Sequence, residues 1–198
     1  MRRVPVICPL TFPPGSVIVS EQGGDTVKVR NMARCALFSA LLAVCAWICV
    51  PLGDVAFTLQ TFGIAVTLGL LGGKLGTISI FVYLLLGAAG VPVFSGFQGG
   101  LGAVLGVTGG YLMGFALWGL TYWLITALWK GEKSRFWGMV FGLLLCYAFG
   151  TVWFRFGYLQ SGGIGAILMK CVVPYLIPDG IKLALAWILS ARLKRFVY

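Results

Sequence analysis

The chain predicts an all-α fold: an integral membrane bundle of six transmembrane helices with a glycine-rich outer loop. Three observations predict it. Of 198 residues, 60% are apolar and only 10% are charged, against roughly 25% charged in soluble globular domains. The apolar residues fall in runs close to the ~20 residues a helix needs to cross a bilayer. Prolines, glycines and basic residues break those runs at intervals that leave room for six spans and short loops.

Residues 1–31 are of mixed character, with Pro5, Pro9, Pro13, Pro14, Glu21 and Asp25 and no cleavable signal pattern. They read as a poorly ordered cytoplasmic tail, and residues 32–198 as a six-helix substrate-binding domain. The first span is expected over Ala33 to Val50, stopped by Pro51, which has no amide to donate. A loop from Pro51 to Ala56 follows. The second span covers Phe57 to Leu71 and the third Leu75 to Ala89, joined by a tight turn at Gly72-Gly73-Lys74. The fourth runs from Tyr111 to Trp129, the fifth from Phe136 to Phe156, and the sixth from Leu168 to Leu189.

Between the third and fourth spans, GVPVFSGFQGGLGAVLGVTGG is too apolar for an ordinary loop and too rich in glycine for a helix. Irregular backbone at membrane depth survives only where protein or a cavity surrounds it, so this segment is a candidate site. Counting Lys and Arg assigns topology. Of 15 basic residues, 12 fall on the side holding the tail, Lys74, the Lys130–Arg135 loop and the C-terminus. By the positive-inside tendency both termini are cytoplasmic and the glycine-rich segment faces outward.

The net charge of +10 is dispersed between apolar segments, so it reads as a topology signal and not as a nucleic-acid surface. Cys8, Cys35, Cys45, Cys49, Cys146 and Cys171 form no C-x-x-C pair, and no histidine is present. They read as small packing residues, with no metal or cofactor implied.

Asp179 and Lys182 lie in the sixth span, within VVPYLIPDGIKLALAW, where a lone charge costs roughly 2.5–3.5 kcal/mol. Three positions apart they share a helix face, and together they can grip a ligand that both donates and accepts hydrogen bonds. A structural ion pair is the bland alternative. Pro178 and Gly180 are expected to loosen the helix locally. Gln98 and Gly99 in FSGFQGG, with Tyr83, Phe94 and Phe97, could supply a polar contact and aromatic walls; tight chain crossing would equally explain the glycines. Ala36, Ala40 and Ala43 with Ser39 make a small-residue face suited to close helix approach, within the bundle or toward a partner. No phosphate-binding loop, zinc motif or nucleophile elbow is present, so the chain is not expected to be an enzyme.

TLQTF (Thr58 to Phe62), YLLLGAAGVPVFSGFQGGLGAVLGVTGGYLMGF (Tyr83 to Phe115) and PYLIPDGIKLALA (Pro174 to Ala186) together resemble the BioY family, the biotin-specific S components of energy-coupling factor transporters. The likeness spans about residues 33–190. It implies a six-helix subunit of a prokaryotic plasma membrane that captures biotin from outside and docks on a transmembrane coupling protein with two ATPases. It also implies that Asp179 and Lys182 meet the ureido group or the carboxylate of biotin, and that Ala36 and Ala40 form the docking face. Family members commonly carry arginine where this chain has Gln98, which leaves the acidic tail of biotin without that partner. The competing readings are a self-sufficient secondary transporter, for which no clear internal repeat exists, an S component for another small vitamin-like solute, and a purely structural membrane subunit.

Overall fold

The structure, a computed structural model, describes residues 19–52, 55–157 and 172–197. Most of the expected tail, Cys8, Cys171, Lys170 and the start of the expected sixth span lie outside the described residues.

Helix α1 runs Val19–Trp47. It begins well before the expected Ala33: no proline interrupts residues 19–47, and a helix once nucleated in an apolar span propagates one hydrogen bond per residue added. It ends before the expected Val50 because the chain enters an antiparallel ribbon, β1 (Cys49–Leu52) and β2 (Val55–Thr58), with Cys49 opposite Thr58 and Leu52 opposite Val55. The expected loop is therefore a hairpin, and the fold is not wholly helical. Short runs rich in Val, Phe and Thr on either side of Gly53-Asp54 account for it.

Helix α2 covers Gln60–Ala88, broken in backbone geometry at Gly72 (φ 78°). In a straight helix residues 60 and 83 would be about 34 Å apart, yet the Gln60 side-chain amide donates to the Tyr83 hydroxyl at 2.7 Å. The chain thus doubles back at Gly72, at the turn expected between the second and third spans. Glycine is needed there for the positive φ. At Gly73 a Cβ would lie 2.7 Å from the Trp123 Cα, so the bend seats directly on the next long helix.

After α2 the glycine-rich segment forms a 3₁₀ turn at Ser95–Phe97 and a short helix α3 (Leu101–Val104). The Gly100 amide donates to the Gly87 carbonyl at 2.7 Å, tying the segment to the end of α2, and the Phe94 amide donates to the Gln98 carbonyl at 2.9 Å within it. Helices α4 (Gly109–Leu128), α5 (Glu132–Gly157) and α6 (Val173–Val197) complete the bundle. Helix α6 runs through Pro178 without interruption, so the expected loosening at Pro178 and Gly180 does not break it.

Among the described residues, five helices, one of them the folded α2, are long and apolar enough to cross a membrane. Their outward faces carry large apolar side chains, including Leu37, Leu124, Phe156 and Ile177, as a bundle solvated by lipid requires. Inside, Trp118 is fully buried where α4 meets α5; a Cβ on Gly142 would fall 1.9 Å from its ring, so this crossing depends on glycine. The hydroxyl of Ser39 donates to the Ser79 carbonyl at 2.8 Å, fastening α1 to the second arm of α2. This divides the expected small-residue face. Ser39 and Ala43 are buried, whereas Ala36 and Ala40 are exposed, because a rotation of 100° per residue puts the two pairs on neighbouring stripes.

Candidate functional site

Asp179 and Lys182 come together as the sequence predicts, one turn apart on α6, at 5% and 7% exposure. The Lys182 ammonium donates to Asp179 Oδ1 at 2.7 Å and to the Thr58 carbonyl at 2.7 Å. It lies 3.4 Å from Thr61 Oγ1 and 3.7 Å from the centroid of the Phe57 ring, a cation–π contact. Thr61 Oγ1 donates to Asp179 Oδ1 at 2.9 Å, and the Tyr147 hydroxyl donates to Asp179 Oδ2.

Three segments thus hold one ion pair. The end of the ribbon supplies Phe57 and Thr58, the first arm of α2 supplies Thr61, and α5 supplies Tyr147. A buried pair tolerates its desolvation only with good geometry and its remaining donors and acceptors satisfied; both conditions hold here. The pair lies toward the start of α6, level with the first residues of α2.

Above it opens a cavity whose empty space, open solvent at the mouth included, is about 660 Å³. Asp179, Lys182, Thr61 and Gln60 provide its polar surface, and Phe57, Tyr111, Phe115 and Tyr175 provide aromatic walls. Phe57 and Tyr175 stack with centroids 6.3 Å apart, closing one side. Such a cavity suits a compact, mostly apolar ligand carrying a polar group that can pair with both a carboxylate and an ammonium. Among the described residues no His, Cys, Asp or Glu cluster could hold a metal ion.

The other predicted residues are placed differently. Tyr83, 1% exposed, accepts from Gln60 and donates to the Val93 carbonyl at 3.1 Å. Phe94 packs edge-on to it at 5.6 Å. Both stand behind the cavity wall and brace Gln60. Gln98 is exposed and off the wall, as is Gly99, where a Cβ would fall 2.4 Å from the Val91 carbonyl oxygen; close backbone packing accounts for that glycine. Phe97 stacks on Trp47 at 5.1 Å and is not a wall.

Sequence reasoning missed Tyr147, Thr61, Thr58 and Gln60 as site residues. A signal existed for Gln60 and Tyr147, since a side chain with polar atoms inside an apolar run needs a partner. Thr58 acts through its backbone carbonyl, which no side-chain pattern reveals.

The BioY family model matches residues 20–198. The probable biotin transporter BioY of Pyrococcus horikoshii is 40% identical over 168 residues, covering 85% of this chain and 98% of that protein. The biotin transporter BioY of Thermotoga maritima is 39% identical over 170 residues, 84% of this chain and 97% of that one. The crystal structure of the S component for biotin from an ECF-type ABC transporter superposes with a TM-score of 0.74 at 26% identity, over 90% of this chain and 95% of that one. The fold, the matched span and the relatives agree, and the chain is a member of the BioY family of membrane transport proteins.

Proposed function

We propose that this chain is the membrane-embedded capture subunit of an ECF-type importer and that its ligand is biotin. The observation that carries this reading is the satisfied Asp179–Lys182 pair at the polar floor of an aromatic-walled cavity. The ureido ring of biotin offers two N–H donors and a carbonyl acceptor on one edge, complementary to a carboxylate beside an ammonium. Because the pair is already bonded internally, the ligand binds by exchanging those bonds for its own, and the aromatic walls take its apolar rings. Gln98, a neutral amide at the exposed glycine-rich segment, leaves the acidic tail of biotin without a cation there.

Among the described residues the folded α2 makes two crossings and four other helices one each, six in all, with both termini cytoplasmic by the distribution of basic residues and the cavity opening to the outside of a prokaryotic plasma membrane. Energy for uptake comes from a transmembrane coupling protein and two ATPases. The exposed Ala36 and Ala40 of α1 suit close approach of a partner helix. Replacing both by Leu is expected to leave ligand binding intact and abolish uptake; normal uptake would remove the docking role.

The test of the ligand is calorimetric titration of biotin into the purified chain, beside Asp179→Asn. The expected result is tight binding that weakens at least about tenfold in the variant, roughly 1.4 kcal/mol for a lost charge-assisted hydrogen bond. Absence of binding by folded protein would assign the cavity to a different small solute.

A further inference from the structure

At the end of the bundle away from the Asp179–Lys182 cavity, two adjoining cavities open between the bend of α2, the start of α5 and the end of α6. Their empty space, open solvent at the mouths included, is about 490 and 760 Å³. Arg135 and Lys194 line both, and Lys130 lines the larger. Against these three cations stands one carboxylate, Glu132, which also lines the smaller cavity and is bonded to Arg135 at 2.8 Å. Lys130 and Lys194 make no ion pair among the described residues. The guanidinium of Arg135 also donates to the Gly69 carbonyl at 3.0 Å, which fixes it at the cavity edge.

A separate observation points to a ligand. Ser190, 2% exposed, lines the smaller cavity, and its buried hydroxyl has no hydrogen-bond partner. A buried hydroxyl without a partner is costly, and Ser190 is among the residues lining a space flanked by cations. The surroundings are those of a membrane interface: Trp129 and Trp137 beside these residues are 68% and 50% exposed, and amphipathic tryptophans favour headgroup depth.

We infer that this groove is a binding site for the phosphodiester headgroup of an anionic phospholipid, with Arg135, Lys130 and Lys194 facing the phosphate oxygens and Ser190 donating its hydroxyl. Basic pockets between transmembrane helices are suited to such headgroups. A phosphodiester supplies the acceptor that Ser190 lacks and neutralises the excess of positive charge, and its acyl chains continue along the apolar outer faces of α5 and α6. The site is independent of what fills the other cavity.

The test uses the full chain in detergent. Native mass spectrometry is run with added phosphatidylglycerol, with phosphatidylcholine, and with phosphatidylglycerol plus excess inorganic phosphate. The wild-type chain is expected to retain one phosphatidylglycerol at least about fivefold more than phosphatidylcholine, against the phosphate competitor. The double variant Lys130→Gln/Lys194→Gln, whose residues are on the groove rim, is expected to lose that preference while eluting as monodisperse helical protein; Ser190→Ala is expected to lower retention at least twofold. Equal retention of the two lipids, or an unchanged preference in the folded double variant, would overturn the assignment. Displacement by inorganic phosphate would overturn the lipid source and leave a free-phosphate site.

Discussion

Two ion pairs of this chain have the same sequence spacing and nearly the same length, and differ in depth. Asp179 and Lys182 meet at 2.7 Å with side chains 5% and 8% exposed. Glu132 and Arg135 meet at 2.8 Å with side chains 70% and 23% exposed. Spacing of three residues on a helix makes both contacts possible, so geometry alone does not distinguish them. Surroundings do. The carboxylate of the first pair accepts from Thr61, Tyr147 and Lys182, and losing any partner leaves a buried charge short of compensation. Glu132 stands largely open to its surroundings, and its attraction for Arg135 is screened. At the deep pair a new hydrogen bond would replace another of comparable strength instead of competing with water.

The largest effect should come from stranding one of the buried charges. Lys182→Met leaves Asp179 without its cation and is expected to destabilise the bundle by ~3–5 kcal/mol, seen as a lower thermal midpoint of the detergent-solubilised protein. An unaltered midpoint would break the comparison at its root. A smaller effect is expected for Tyr147→Phe, which removes one hydrogen bond to the carboxylate and nothing from the packed ring. It should lower stability by about 1.5–3 kcal/mol and weaken ligand affinity without changing helical content by circular dichroism. If both quantities match wild type, Tyr147 does not support Asp179. The smallest is Glu132→Gln, expected to shift stability by no more than ~1 kcal/mol in unfolding monitored at low and at high salt. A loss as large as that of Lys182→Met would mean that depth is not what separates the two pairs.

Much of the fold was legible because a membrane permits few solutions. Backbone polar groups must be satisfied within each apolar run, so runs and their interruptions translate into helices, and the turn at Gly72-Gly73-Lys74 fell where glycine and a charge ended one run. The start of α1 was misplaced, because composition marks where lipid ends and not where helical hydrogen bonding ends. The ribbon at Cys49–Leu52 and Val55–Thr58 was missed although Gly53-Asp54 between short β-forming runs is a hairpin signal, since the membrane reading treated every short non-helical stretch as a loop. In the site, Asp179 and Lys182 were legible because intramembrane charges always require a reason. Gln98 and Gly99 were singled out by local composition, and neither is on the wall of the cavity.

The sequence by itself determined a helical membrane bundle, the places where the chain turns, the basic end and the charged pair on the last helix, because each follows from transfer of side chains and backbone between water and lipid. Only the tertiary structure decided what surrounds that pair. Thr58, Thr61, Tyr147 and Lys182 converge on one point from segments separated by up to 124 residues in the chain. Whether a buried charge is compensated depends on contacts across the bundle, which no periodicity along a single helix encodes.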